Sequence, residues 1–187
     1  VLRLPASQPF KIETEQDGEV TFVAAVNGQA VFDGITCEGK AALVLRGRSA
    51  AVDGLIFQNM AVPDGNGAGI RLEKGNLAVT RSVFRNSEQG ILTAQDPAGE
   101  IVIDQTTFTE LGRCDRGLAC AHSIYIGDFA SLTVTRSRFE RGNGGHYVKS
   151  RAARAIIRNN AFDGINSLQI PFSRIPTIHS VKYICIP

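Results

Sequence analysis

The sequence lacks the features that would place it in several large classes of protein. It has no uninterrupted apolar run of about 18 residues, so it predicts no membrane-spanning helix. None of its four cysteines belongs to a C-x-x-C pair, which argues against a structural zinc site. The formal net charge of +2 is too small to indicate a nucleic-acid-binding protein. No basic segment followed by an apolar one opens the chain, so we expect any secretion signal to have been removed or left out.

Tryptophan is absent and methionine occurs once, whereas there are 19 Gly and many Val, Ile and Thr residues. This composition favours strands and tight turns over helices. A length of 187 residues suits one domain or one elongated solenoid with a substantial core. With 43% apolar and 20% charged residues, the chain is typical of a soluble globular protein and not of a disordered one.

Positive charge is concentrated between residues 131 and 160. Seven basic side chains in this stretch accompany a single acid, Glu140: Arg136, Arg138, Arg141, Lys149, Arg151, Arg154 and Arg158. Such an end of the molecule could attract an anionic ligand. Arginine used as ordinary solvated surface is the alternative interpretation, and the sequence leaves both open.

An eight-residue pattern recurs about every 25 residues along the chain. It has an aliphatic residue at its third place and Phe at its eighth, and it occupies residues 50–57, 77–84, 101–108, 132–139 and 155–162. A weaker copy spans 30–37 with Cys37 at the place of the Phe, so we expect Cys37 to be a buried apolar residue. Since the side chains of a strand alternate between its faces, places one, three, six and eight point inward, and places four and five bend the chain. The final Phe residues are predicted to form one buried stack.

A second strand follows each segment, at residues 68–73, 89–94, 122–127 and 146–151. Its inward residues are Ile70, Ile91, Ile124 and Val148. Each coil buries too little apolar surface alone, but stacked coils share one continuous core. The predicted fold class is therefore all-β: a right-handed single-stranded parallel β-helix, a solenoid of about six to seven coils. An antiparallel sandwich would require hairpin turns and would not predict the recurring register.

The repeat divides the chain into three parts. Residues 1–29 form an N-terminal cap with the first strand or strands, and residues 30–170 form the parallel β-helix repeats. Residues 171–187 do not repeat, and they predict a C-terminal cap or a truncated end.

Two of the connections that follow the closing Phe are long, at residues 58–69 and 109–123. Both leave the coil at the same corner, and insertions gathered on one face commonly build the binding face of a solenoid. The second connection contains Cys114 and Cys120 in one polar segment. These two cysteines are predicted to form a disulfide if the protein is exported.

The outward face of the second strand carries the residues that most resemble a site. Equivalent positions on adjacent coils lie roughly 4.8 Å apart, so five side chains are predicted to converge, and we assign them as catalytic candidates: His122, Tyr125, His146, Lys149 and Arg151. Three more are assigned as substrate-binding candidates: Arg71, Tyr147 and Arg141. The structural alternative is a histidine that only forms hydrogen bonds at a corner, beside solvated lysines and arginines.

A carboxylate pair is the basis of a rival hypothesis. Asp33 and Asp53 share the bend position of adjacent copies of the pattern, and Asp104 follows two coils later, so a glycoside hydrolase is conceivable. Both Asp33 and Asp53 precede Gly, however, and Asp-Gly is typical of turns. The turn interpretation is therefore favoured.

Four stretches carry a resemblance to a known family: VPDGNGAGIRLE, SEQGILTA, CAHSIYIG and GHYVKSRA. With the repeats from about residue 30 to 164, they resemble secreted bacterial right-handed β-helix proteins of the pectate lyase-like superfamily, in a largely uncharacterised branch. The resemblance implies the β-helix fold and a secreted or periplasmic location. Its implication for activity is broad, because that superfamily includes lyases, hydrolases, epimerases, adhesins and phage tailspikes, and a fold does not dictate a function.

Among the activities of that superfamily, β-elimination on an acidic, uronate-containing polysaccharide suits the catalytic candidates best. Arg151 would neutralise the substrate carboxylate, and Lys149, His146 or Tyr125 would serve as base or acid. No acidic calcium cluster is evident on this face, so we expect no cofactor and no metal ligand, with Ca²⁺ left open. The alternatives are a non-catalytic carbohydrate-binding or surface-interaction solenoid and a purely structural fragment. The expected partner is an acidic polysaccharide or another anionic saccharide, bound by a monomer.

Overall fold

The computed structural model describes residues 18–164, 166–169 and 182–183, and within them the chain forms strands and no helix. The strands belong to three sheets. Sheet A contains β1 (Glu19–Val23), β4 (Ser49–Asp53), β7 (Asn76–Thr80), β10 (Asp96–Asp104), β13 (Phe129–Thr135) and β16 (Arg154–Arg158). Sheet B contains β2 (Ala30–Asp33), β5 (Leu55–Gln58), β8 (Val83–Ser87), β11 (Thr107–Leu111), β14 (Arg138–Glu140), β17 (Ala161–Phe162) and β19 (Lys182–Tyr183). Sheet C contains β3 (Ala41–Leu45), β6 (Ala68–Leu72), β9 (Gln89–Thr93), β12 (Ile124–Ile126), β15 (His146–Ser150) and β18 (Ser167–Gln169).

The chain visits the three sheets in a fixed order. It passes from sheet A to sheet B to sheet C six times, and after each of the first five passages it adds the next strand of sheet A beside the previous one. Neighbouring strands in every sheet are parallel. The coils of the described residues therefore stack on one another along one axis. The predicted all-β class and parallel β-helix solenoid are confirmed at this level.

The eight-residue register is observed directly between residues 50 and 162. Ala50, Leu77, Ile101, Leu132 and Ala155, the first places of the five copies, are successive partners across sheet A. The closing Phe57, Phe84, Phe108, Phe139 and Phe162 are partners across sheet B. Their rings form one buried stack with centroid separations between 4.8 and 5.0 Å. The predicted phenylalanine stack is confirmed.

Small polar side chains at the sixth place are buried and tie adjacent coils together. Ser82 Oγ accepts a hydrogen bond from Leu55 N at 3.2 Å, and Ser137 Oγ accepts one from Thr106 N at 3.1 Å. Asn160 Oδ1 accepts from Ser137 N at 2.8 Å. These positions lie where the chain bends from sheet A into sheet B. The side chains therefore accept hydrogen bonds from backbone N–H groups that the sheets leave unpaired.

The weak first copy was assigned the wrong register. Phe32, predicted to occupy the third place, pairs with Phe57 across sheet B and stacks on its ring at 5.2 Å. The third place belongs to Phe22, which pairs with Val52. Cys37 was predicted to be a buried core residue at the place of the Phe, and this is wrong as well: it is only partly buried and forms a backbone bridge to Ala41. An insertion between β1 and β2 in the first coil displaces the pattern.

Of the predicted divisions, residues 1–17 lie outside the described part of the chain. So does the predicted C-terminal cap at 171–187, apart from Lys182–Tyr183, whose backbone pairs with β17. No helix in the described residues has the length and apolar character needed to cross a membrane.

Candidate functional site

The outer face of sheet C carries one row of side chains that points away from the core. Arg71 pairs with Leu92, Leu92 with Tyr125, and Tyr125 with Lys149. The flanking positions Ile124, Ile126 and Val148 are fully buried, so the period-two alternation of the strand holds here. The row has the order that the repeat predicts.

Two cations converge on one aromatic ring in this row. Lys149 Nζ lies 4.5 Å from the centroid of the Tyr125 ring, and Arg151 Cζ lies 5.6 Å from it. Both distances fall within the range in which the negative face of an aromatic ring attracts a cation. Tyr125 therefore holds the two cations on the same patch of β12 and β15. No acid of the described residues forms an ion pair with Lys149.

A pair of histidines forms the adjacent edge of the patch. The rings of His122 and His146 stack with centroids 5.2 Å apart, and the His122 ring meets Tyr125 edge-on at 5.5 Å. The backbone N–H of His146 donates to Nδ1 of His122 at 2.9 Å, while Nε2 of His122 lies 3.5 Å from Nζ of Lys149. On the other side, Nδ1 of His146 lies 2.7 Å from Oγ of Ser167.

Burial and charge both disfavour the protonated forms of these histidines. His122 is 4% exposed, and this burial, followed by the charge of Lys149 and the neighbouring His146, lowers its pKa to about 4. The pKa of His146 is lowered by burial and then by Lys149. Both rings are therefore neutral at pH 7, and the positive charge of the patch comes from Lys149 and Arg151.

The five catalytic candidates are thus brought together by the fold, but the three substrate-binding candidates are not. Arg71 lies two strands away from Tyr125 in the same row and donates to Glu73 at 3.3 Å. Arg141 lies after β14, where it forms an ion pair with Glu110 at 3.5 Å.

Tyr147 points into the core and not towards a ligand. Its side chain is fully buried, with ring centroids 5.9 Å from Phe139 and 6.1 Å from Phe162. Its hydroxyl donates to Asp163 and accepts from Gly142 N at 3.2 Å. Burial and the bond to Asp163 raise the pKa of the phenol. A side chain enclosed in this way is out of reach of a ligand on the surface, so we leave Tyr147 out of the site.

The longer loop next to the patch is cross-linked as predicted. Cys114 and Cys120 form a disulfide with their Cα atoms 4.4 Å apart. Gly145 N donates to Cys114 Sγ at 3.1 Å, so the cross-linked loop also contacts the turn that leads into β15. Ala121 follows the disulfide and pairs with Arg113 across the base of the loop. The loop base therefore directly precedes His122.

A buried ion pair that the sequence interpretation missed joins this loop to the other long loop. Glu88, 8% exposed, accepts from Val62 N at 3.0 Å and Gly67 N at 2.8 Å through one carboxylate oxygen. Its other oxygen accepts from Arg116 at 2.6 Å and lies 3.8 Å from Arg113. One feature of the sequence could have predicted this ion pair. Glu88 is an acid at the corner where the long loops leave, in the coil that lies between them.

Arg113 completes the link by reaching across that intermediate coil. Its Nε donates to the carbonyl oxygen of Gly65 at 3.0 Å. Gly65 is needed for this approach, since a Cβ there would lie 1.9 Å from Nη2 of Arg113. The two long loops were predicted to leave the solenoid at the same corner, and Glu88 and Arg113 join them there.

The rival carboxylate pair is not assembled by the fold. Asp33 lies in sheet B, whereas Asp53 and Asp104 lie in sheet A, so Asp33 and Asp53 do not share a bend position. Asp53 accepts from Thr80 at 2.9 Å and from Arg81, and Asp104 accepts from Thr135 at 2.7 Å and from Arg136. Each carboxylate thus joins its coil to the next one, which is a structural use.

The described residues contain no group of three or more His, Cys, Asp or Glu side chains placed to bind a metal ion.

No family model matches this chain, and comparisons with curated proteins and with solved structures give no match. The site must therefore be interpreted from its own geometry.

Proposed function

We propose that this protein is a right-handed parallel β-helix that binds an acidic polysaccharide on the outer face of sheet C. Parallel strands joined by a crossover are right-handed in about 98% of cases. The observation that carries the binding proposal is the convergence of Lys149 and Arg151 on the Tyr125 ring, beside two neutral histidines. The resemblance to secreted bacterial proteins of the pectate lyase-like superfamily is part of the same proposal, as is a secreted or periplasmic location.

An extended anionic sugar fits this surface for two physical reasons. An aromatic ring flanked by cations offers an apolar platform for a sugar face and positive charge for its carboxylates. Equivalent side chains of the row repeat roughly every 4.8 Å along the solenoid, so a polymer that runs along the axis meets the same kind of position on successive coils.

Lysis by β-elimination is the catalytic form of the proposal. A base removes the proton next to the uronate carboxylate, the bond from the ring to the glycosidic oxygen breaks, a carbon–carbon double bond forms, and an acid returns a proton to the departing oxygen. His146, neutral at pH 7, is suited to the role of base, and the Tyr125 hydroxyl to that of acid. Lys149 and Arg151 stabilise the negative charge that develops on the carboxylate.

The test compares binding of polygalacturonate and alginate by the parent and by the Lys149→Ala/Arg151→Ala variant. Loss of both charges is expected to weaken binding tenfold or more, about 1.4 kcal/mol, and the parent's affinity should fall as salt is added. Arg154→Ala/Arg158→Ala is the matched control, because it removes the same charge from exposed positions of sheet A.

Ultraviolet absorbance of unsaturated products, followed across pH, then separates a lyase from a binding protein. Absorbance that rises with the parent and not with the Lys149→Ala/Arg151→Ala variant supports catalysis. Binding without such products supports the non-catalytic solenoid. If the two-charge variant binds every acidic polysaccharide as well as the parent, the patch is ordinary surface and the proposal is wrong.

A further inference from the structure

Hydrogen bonding fixes which nitrogen of His122 carries the proton. The backbone N–H of His146 can only donate, and it points at Nδ1 of His122 from 2.9 Å. Nδ1 must therefore be the unprotonated acceptor, and the neutral ring carries its hydrogen on Nε2. Protonating Nδ1 would set two N–H groups against each other. This is a geometric reason for a neutral ring that does not depend on burial.

The N–H at Nε2 of His122 consequently faces the ammonium group of Lys149, which is also a hydrogen-bond donor. Nε2 lies 3.5 Å from Nζ of Lys149, and a lysine ammonium has three donors and no acceptor. The two nitrogens therefore cannot satisfy each other, although the ring stack with His146 and the contact of Lys149 with Tyr125 hold them in place. An oxygen about 2.8 Å from each nitrogen would accept from both, which is the usual length of a charge-assisted hydrogen bond.

We propose that Nε2 of His122 and Nζ of Lys149 together form a carboxylate-binding site that accepts one oxygen of a uronate carboxylate. The inference rests on the function proposed above and assigns the atoms that would recognise the acid group. It also changes the role of one catalytic candidate: His122 is a substrate-binding donor, because its only unprotonated nitrogen accepts the backbone N–H of His146 and cannot take a proton from a substrate.

The tautomer can be measured before any ligand is added. The chain has three histidines, so ¹⁵N-histidine labelling with assignment by His122→Asn and His146→Asn variants separates their signals. At pH 7 His122 is expected to show an unprotonated Nδ1 and a protonated Nε2. A proton on Nδ1, or a charged ring at this pH, would overturn the inference.

The binding test compares a galacturonic acid trimer with the same trimer carrying methyl esters. The parent is expected to prefer the free acid at least tenfold, since a donor pair beside a positive charge favours a carboxylate over an ester. In Lys149→Met and His122→Asn this preference should fall towards one. His122→Gln places an amide N–H near the position of Nε2 and should keep more of the preference than His122→Asn.

Lys74→Met is the matched control, because Lys74 is an exposed lysine outside the patch, and its preference for the acid should equal that of the parent. A parent that binds both trimers equally, or a preference that survives in both Lys149→Met and His122→Asn, overturns the carboxylate site and leaves the saccharide proposal standing. If the parent binds neither trimer and no polyuronate, the saccharide proposal fails, and acetate decides the site itself. An acetate-dependent shift of the His122 Nε2 signal then supports it, and no shift overturns it.

Discussion

The inside of the solenoid and the outer face of sheet C follow different rules. Inside, one column keeps the same residue in all six coils, as in the stack that runs from Phe32 through Phe57 to Phe162. Outside, each coil of sheet C presents a different residue at one row position: Arg71, then Leu92, then Tyr125, then Lys149.

The difference follows from what each side chain touches. An inward ring contacts the ring above and the ring below, so a change of size leaves a cavity or a clash in three coils at once. An outward side chain meets solvent and its row neighbours, and the fold does not dictate its identity. A cluster of chemical groups confined to the outer face of β12 and β15 is therefore not required by the fold, and this favours a functional interpretation.

The largest effect is expected inside. Phe108→Ala should lower the free energy of unfolding by about 3–5 kcal/mol, because it removes a fully buried ring between Phe84 and Phe139. Val102→Ala, on the exposed face of β10, is the control and should change it by less than about 0.5 kcal/mol. Urea unfolding measures both. If both variants lost the same free energy of unfolding, inward and outward residues would not differ in their contribution to stability, and the comparison would be wrong.

A smaller effect is expected at the cross-linked loop. Cys114→Ser/Cys120→Ser should lower the free energy of unfolding by about 2 kcal/mol, since a short closed loop restricts the unfolded chain only modestly. Adding reductant to the parent should have the same effect. Cys37→Ser keeps the disulfide and should respond to reductant as the parent does, whereas Cys114→Ser/Cys120→Ser should not respond. Coincident unfolding curves for the oxidised parent and the double variant would show that the bond contributes nothing.

The smallest effect concerns the histidine edge of the patch. The pKa of His122 is about 4 in the folded chain against 6.5 as the ordinary value, so the unfolded chain binds the extra proton first as pH falls. The stabilisation that the neutral His122 ring contributes is complete above about pH 6.5 and is lost towards pH 4. The groups that face this ring are Lys149, His146 and Tyr125. We expect a loss of roughly 1–2 kcal/mol between pH 6.5 and 5.

Urea unfolding at a series of pH values measures this loss. His122→Asn removes the titrating ring and should flatten most of the slope, leaving the contribution of His146, whose pKa is lowered in the same direction. A slope in that window unchanged by His122→Asn would mean that His122 titrates normally in the folded protein.

Most of the interior could be predicted from the sequence because two simple periods describe it. Alternation along each strand identified inward places, and the recurrence of Phe aligned the copies from residue 50 to 162. The same register predicted that Tyr125 and Lys149 would be neighbours. Strand geometry relates these positions directly, so no information about loops was needed.

The first coil was misassigned because a local similarity outweighed the register. The stretch AVFDG at residue 30 resembles AAVDG at residue 50 and was aligned with it. The insertion between β1 and β2 moves the true alignment, so that Val20 pairs with Ala50 and Phe32 with Phe57. The misaligned copy had Phe32 at the third place, where the others have an aliphatic residue, and Cys37 at the eighth, where the others have Phe. These two exceptions indicated that the alignment was wrong.

Tyr147 was misjudged for a different reason. Its place in sheet C is inward at the corner, where the other coils carry small buried residues: Ala42, Gly69, Gly90 and Ser123. Tyr147 fills the space that those residues leave, against Phe139 and Phe162. The column of small residues signals the inward direction. The link from Glu88 to Arg113 could not be predicted in this way, because it depends on the paths of two irregular loops.

The reach of Arg113 to Gly65 has a consequence for how the molecule unfolds. In a solenoid whose coils contact only their immediate neighbours, coils can fray one at a time from an end. Here one hydrogen bond joins residues 48 apart and passes over the coil that contains Glu88, which is itself bonded to both loops. The second, third and fourth coils should therefore behave as one cooperative unit, and amide hydrogens from β5 to β12 should exchange at a common rate, slower than those of β1 to β3.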